Sequence, residues 1–266
     1  MILAGVLLAL STPASALENC GGKPSSAATA NVASLDSLAW APFGRPETGW
    51  RVYAPRIEAE TGTSCAPTTT GFADRLAAWQ VRHGLASTGQ LDAATFAVMK
   101  TGWQQARPFV RLNARLNCPP PPASLEPVRP AEALVSRPMT LRPAALAAYR
   151  AMVADARRDP AIAAEPLAFL IFSGFRDPVS DAGRCMLEGN CNGVVRATCS
   201  AHRTGLAIDL WVGHAPGFSP DSSDDLNRGT MVLTPAYRWL LANAGRYGFV
   251  NYAFEPWHWE WTGEAI

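Results

Sequence analysis

The sequence is nearly devoid of lysine: Lys23 and Lys100 are the only two, and all other fixed positive charge is arginine. It also lacks any charge excess, since 23 Lys and Arg against 22 Asp and Glu leave a net charge of +1. Phosphate-backbone binding usually shows as a basic surplus, so nucleic acid is not an expected partner. No CxxC pair occurs among the cysteines at 20, 65, 118, 185, 191 and 199, which argues against a structural four-cysteine zinc site. No GxSxG elbow occurs, and Ser200 and His202 are too close in sequence to build a serine-hydrolase centre. Long apolar runs are missing as well: the leading one, 2–10, is far shorter than the ~20 residues that span a bilayer.

What is present suggests export. The run 2–10 is followed by Ser11, Thr12, Pro13 and Ala14-Ser15-Ala16, which resembles a secretory signal with small residues at its cleavage site, although no Lys or Arg precedes it. A buried N-terminal helix is the alternative. Leu17-Glu18-Asn19-Cys20 lacks the small residues expected before a lipid-attachment cysteine. The expectation is therefore a signal peptide at 1–16, residence in the periplasm or extracellular cell wall, and no stable membrane anchor once the signal is removed. An even number of cysteines fits an oxidising compartment. Three lie before residue 120 and three after 184, so complete pairing needs at least one bridge between the halves of the chain. With 48% apolar and 17% charged residues over 266 positions, the chain can fold as two units.

The first half reads as three short helices. Pro55 suits the first turn of one that Gly62 ends; Phe72, Leu76 and Trp79 share a face of a second; Asp92 is a good N-cap for a third running through Phe96, Val98 and Met99. Between the last two lie His83-Gly84-Leu85 and Thr88-Gly89-Gln90-Leu91-Asp92. Taken together, 78–99, beginning with Ala78-Trp79-Gln80, resembles the peptidoglycan-binding module found beside many wall hydrolases, with its FQ, HGL and TG–D–T pattern. His83 then belongs to a structural turn, and a plain three-helix spacer is the competing reading. The prolines at 119–122, with Pro127 and Pro130, favour a stiff extended connection. The expected division is an N-terminal extension and helical domain at 17–105, a Pro-rich linker at 106–135 and a second domain at 136–266.

In the second half, 142–158 is an Ala-rich helix with Pro143 near its start, 167–172 is apolar and of strand length, and 235–247 is helical up to Gly248. Strand-like runs occupy 206–212 and 257–261. Alternation puts Leu206, Ile208 and Leu210 on one face and Asp209 on the other, beside only Gly205 and Ala207. Trp257, Trp259 and Trp261 likewise bury one side and aim His258 at the other. His202 precedes Asp209 in the turn that Gly205 permits. Two imidazoles and a carboxylate make a three-ligand set that leaves one zinc position open, as in catalytic sites. Glu255, with Pro256 between it and His258, could move a proton from water to a leaving amine. A lone histidine is more often structural; the joint occurrence of these residues is the signal.

Ser200-Ala201-His202-Arg203-Thr204-Gly205-Leu206-Ala207-Ile208-Asp209 resembles the SxHxxGxAxD signature of the zinc D-alanyl-D-alanine carboxypeptidases and dipeptidases, the family of VanY and VanX. Glu255-Pro256-Trp257-His258 resembles its ExxH signature, and Ser173-Gly174-Phe175-Arg176 its SGxR segment. The resemblance spans about 136–262. It implies one Zn2+ per chain on His202, Asp209 and His258, Glu255 as general base, Arg176 as oxyanion stabiliser, and Ser200 in contact with substrate or supporting the site. A salt bridge to Asp177 is the bland alternative for Arg176. His214 is either a substitute ligand or, ahead of Pro216-Gly217, a surface-loop residue. Cys185, Cys191 and Cys199 suggest a cross-linked loop over the cleft. The expected fold class is α+β, a small antiparallel sheet with flanking helices preceded by a small three-helix domain. The expected activity is removal of the terminal D-Ala from peptidoglycan stem peptides by a monomer. An endopeptidase of the same fold and a non-catalytic zinc-containing wall-binding protein are the alternatives.

Overall fold

The computed structural model of the chain describes residues 19–22, 25–116, 118–187 and 199–263. The signal reading at 1–16, Cys191 and the side chain of Cys185 lie outside them. Helix α1 (Ser26–Leu35) starts at Ser25, whose hydroxyl accepts from Ala28 N. A two-stranded ribbon, β1 (Ala39–Trp40) and β2 (Glu47–Thr48), follows. Helix α2 (Ala54–Thr61) has Pro55 in its first turn and stops at Gly62, φ 70°, a left-handed position that glycine occupies without strain. Helix α3 (Thr70–Arg82) buries Phe72, Leu76 and Trp79 on one face, and Asp92 caps α4 (Ala93–Ala106) by accepting from Thr95 N at 2.7 Å.

Trp50, Tyr53, Ile57, Phe72, Leu76, Phe96 and Met99 form the core of this first unit. The turn 88–92 is fixed from inside. Gln80 donates to Thr88 Oγ1, Gln90 O and Thr95 Oγ1 and accepts from Gly89 N, while Asn31 donates to Gly89 O and accepts from Leu91 N. Both side chains are buried, so their amides serve the fold. His83 stacks on Trp79 and bonds its carbonyl. The Cys20–Cys65 disulfide closes the unit. Its helices thus include α1 besides the expected three.

Within 106–135, helix α5 (Pro108–Leu116) follows α4 after the extended residue Arg107, and strand β3 (Glu126–Pro127) pairs with β4 (Thr140–Leu141). Helices α6 (Pro143–Ala156) and α7 (Pro160–Ala163) lead to strand β5 (Ile171–Ser173). The apolar run at 167–172 is strand only at its end. Phe169 has φ 68°, which breaks the extended path, and Leu167 is exposed in the preceding turn. Helix α8 (Pro178–Leu187), strand β6 (Ala207–Leu210), helices α9 (Asp225–Met231) and α10 (Pro235–Asn243), and strands β7 (Phe249–Asn251) and β8 (His258–Trp261) complete the described chain.

Strands β5–β6–β8–β7 form one antiparallel sheet. One face buries Ile208, Leu210 and Trp259 against Leu146, Tyr149 and Met152 of α6 and Tyr237 and Leu240 of α10. The other face carries Ser173, Asp209, His258 and Glu260, with Ala207 opposite Glu260. The register sets Asp209 directly across from His258, where antiparallel neighbours share a face at close range. The architecture is α+β, as expected. No helix among the described residues is long and apolar enough to cross a membrane.

Candidate metal centre and cleft

His202 stands in a short 3-10 turn, Ala201–Thr204, that ends on Gly205 at φ 69° and feeds β6. That reversal folds His202 back over the start of the strand. Its Nε2 lies 3.1 Å from Asp209 Oδ2, and His258 Nδ1 lies 2.9 Å from Asp209 Oδ1. Ligand atoms from all three residues fall within 4.8 Å of one another, and all three side chains are buried. Tetrahedral ligands about 2.1 Å from a shared zinc would be about 3.4 Å apart, so a modest adjustment accommodates an ion. His202 Nδ1 is 2.7 Å from Gly174 O, so Nδ1 carries an N–H and Nε2 is the nitrogen that faces Asp209 and would ligate an ion. The donor set, two imidazole nitrogens and a carboxylate, suits zinc. His214 is exposed, bonds Ala215 O and stands apart from this group.

Burial works against an ionised Asp209, but the two imidazoles outweigh it and hold the carboxyl well below its usual range. For His258 burial opposes the imidazolium, while Asp209 and Glu260 favour it strongly enough to push its pKa to about 9. Without an ion the group is therefore a proton-sharing cluster, and metal uptake must displace that proton.

Glu255 sits in the turn between β7 and β8, where its N–H bonds Tyr252 O and its carbonyl accepts from His258 N. Asn251 fixes the same turn by donating to Glu255 O and His258 O. Glu255 Oε2 is 3.9 Å from His258 Nδ1, and desolvation raises its carboxyl pKa above the ordinary value. It is about one-third exposed, open to the cleft.

Arg176 follows β5 and donates to Ser200 Oγ at 3.1 Å. Its ion-pair partner is Asp181, at 3.4 Å, and not Asp177, which caps the start of α8 through Val179 N and Ser180 N. Asp181 is the residue sequence reasoning missed. Buried at 3% exposure, it accepts from Ser200 N and Oγ, both at 2.8 Å, and lies 3.3 Å from Arg203 Nε. Ser200 is thus held by Asp181 and Arg176, which favours support of Arg176. Cys199 pairs with Cys118, so the bridge ties the segment before Ser200 to the chain just beyond α5.

These groups line one cleft of about 690 Å3. Arg107, Arg137, Arg176 and Arg184 contribute guanidinium groups to its wall, Asp177, Asp181, Asp209, Asp221 and Glu255 carboxyls, and Phe109, Met139, Phe172 and Tyr252 apolar surface. The arrangement offers a three-donor ion site, an adjacent carboxyl for proton transfer and a fixed cation within one enclosure.

Comparison with known proteins matches residues 191–264 to the family profile of VanY, D-alanyl-D-alanine carboxypeptidase. A comparison with curated proteins found no match. Among solved structures, the LdcB LD-carboxypeptidase aligns at 22% identity and a TM-score of 0.41, covering 54% of this chain and 70% of that one. DacB from Streptococcus pneumoniae D39 aligns at 24% identity and TM-score 0.31, over 46% of this chain and 67% of that one. A mutant of the vancomycin-resistance D,D-pentapeptidase VanY from a VanB-type cassette, in complex with Zn(II), aligns at 19% identity and TM-score 0.31, over 54% and 83%. Over residues 191–264, which supply His202, Asp209, Glu255 and His258, the chain is similar to the VanY family, D-alanyl-D-alanine carboxypeptidase.

Proposed function

We propose that the protein is a zinc-dependent peptidoglycan peptidase, a carboxypeptidase that removes the terminal D-Ala from stem peptides. The observation that carries this reading is the convergence of His202, Asp209 and His258 beside Glu255 and Arg176 in one cleft. A zinc ion held by the three ligands would supply Lewis acidity and bring the pKa of water down to about 7.

The chain's own side chains would do the rest. Glu255, its pKa raised by desolvation, takes the proton from the attacking water and passes it to the leaving amine. Arg176, braced by Ser200 and Asp181, donates to the charge that develops on the scissile carbonyl oxygen. The first unit, by its resemblance to a wall-binding module, would hold the enzyme on peptidoglycan.

Mass spectrometry of digested muropeptides tests the specificity. Loss of one alanine from pentapeptide stems is the expected result. Separation of cross-linked dimers with pentapeptides intact would replace it with an endopeptidase, and zinc uptake without any hydrolysis would replace it with a wall-binding protein.

A further inference from the structure

Glu260 lies on the site face of β8, two positions beyond His258, at 1% exposure. Both its oxygens are held from the α4–α5 junction. Oε1 accepts from Arg107 Nε at 2.6 Å and Oε2 from Phe109 N at 2.9 Å, both at the α4–α5 junction. Glu260 Oε1 also lies 3.5 Å from His258 Nε2, a buried nitrogen with no hydrogen-bond partner. Arg107 in turn spreads its guanidinium 3.9 Å from the ring centre of Tyr252, whose N–H bonds His258 O.

We propose that Arg107, acting through Glu260, is a positioning residue for His258, which makes the junction between the first unit's last helix and α5 a built-in part of the metal centre. The proposal rests on the reading of His258 as a ligand. With Nδ1 committed to the ligand set, Nε2 carries the proton, and Glu260 is the acceptor that faces it. A ligand imidazole whose second nitrogen is held by a carboxylate keeps its tautomer and ring orientation. Arg107 Nε and the Phe109 N–H each hold one oxygen of that carboxyl group, so the acceptor's position is set from the α4–α5 junction.

The same unit frames the turn that carries Glu255. Ala253 belongs to the first unit's core, and Phe43 packs against Tyr252 and Phe254 at 5.7 and 5.5 Å. Arg56 donates to Asn251 Oδ1 at 3.2 Å, and Asn251 grips the carbonyls of Glu255 and His258. Arg228 donates to Phe254 O at 2.8 Å while ion-pairing with Glu47 at 3.0 Å. A module joined only by a tether would supply none of these contacts.

Zinc affinity of the full chain, measured by chelator competition, tests the proposal, with circular dichroism and thermal melting as checks of folding. Arg107→Ala and the isosteric Glu260→Gln are expected to weaken zinc binding about 10- to 100-fold, and Arg107→Lys to recover part of the loss. Leu76→Ala, a core truncation in the first unit remote from this chain of contacts, should melt lower yet bind zinc as the wild type does. If Arg107→Ala fails to fold, Glu260→Gln decides alone. Wild-type affinity in Glu260→Gln, or an equal loss in Leu76→Ala, would overturn the proposal while His202→Ala still loses zinc. Wild-type affinity in His202→Ala would overturn the metal centre itself and this proposal with it.

Discussion

The first unit closes over rings, with Trp50, Tyr53, Phe72 and Phe96 at its centre, whereas the second half packs a sheet whose second face is crowded with ionisable groups. The contrast is sharpest in how charge is buried. Within the first unit the deepest polar side chains, Asn31 and Gln80, are neutral amides that satisfy a backbone turn. In the second, Asp209, His258 and Glu260 are ionised or proton-sharing, and burial of such groups is costly unless partners are close. Glu260 finds Arg107, in the segment that joins the two units, and the buried Arg228 finds Glu47 of the first unit. The first unit and the joining segment therefore add counter-charge to that which Asp225 and His258 already provide.

If the chemistry belongs to the second half, Glu255→Gln should lower kcat by about 10^2- to 10^4-fold while zinc content stays at the wild-type level. Steady-state rates on a D-Ala-D-Ala pentapeptide, with metal analysis, check this; a rate within twofold of wild type would remove Glu255 as base. If counter-charge crosses the interface, Glu47→Ala leaves Arg228, fully buried, without its main carboxylate, at a cost of about 3–5 kcal/mol in denaturant unfolding. A cost below about 1 kcal/mol would mean that Asp225 and Tyr53 suffice.

The zinc-free cluster gives a smaller, pH-dependent effect. The His258 pKa rises from 6.5 to about 9 on folding, because Asp209 and Glu260 outweigh burial. Its contribution is then fully present below about pH 6.5 and is lost as pH rises through about 9. The melting temperature of chelator-treated protein should fall over that window, and a flat profile would contradict the pairing. Least of all, Arg51→Ala removes an ion pair to Asp36 whose side chains are 55% and 63% exposed, and unfolding should register less than about 1 kcal/mol.

How much of this was legible in the sequence depended on range. Period-2 alternation around Asp209 and His258 identified the two site-bearing strands, because each strand's faces are set by its own residues. Caps at Asp92 and Gly62 were readable for the same local reason. Helix α1 carries only a weak apolar stripe and β1 and β2 span two residues each, too little for periodicity to register. The run at 167–172 misled because an apolar stretch does not reveal a left-handed residue such as Phe169. Asp181, Arg107 and Glu260 escaped notice because each matters through a partner distant in the chain: Ser200, 19 residues from Asp181, and Glu260, 153 residues from Arg107. Only their burial identifies them, and burial of a charged residue cannot be read from its neighbours in sequence.

Zinc stoichiometry by equilibrium dialysis, on the wild type and on Asp209→Ala, addresses the ion site most directly. One ion per chain in the wild type and none in Asp209→Ala, with secondary structure retained, is the result this account predicts. Undiminished zinc in Asp209→Ala would contradict it, because the ion would then be held elsewhere and the cleft would lose its centre.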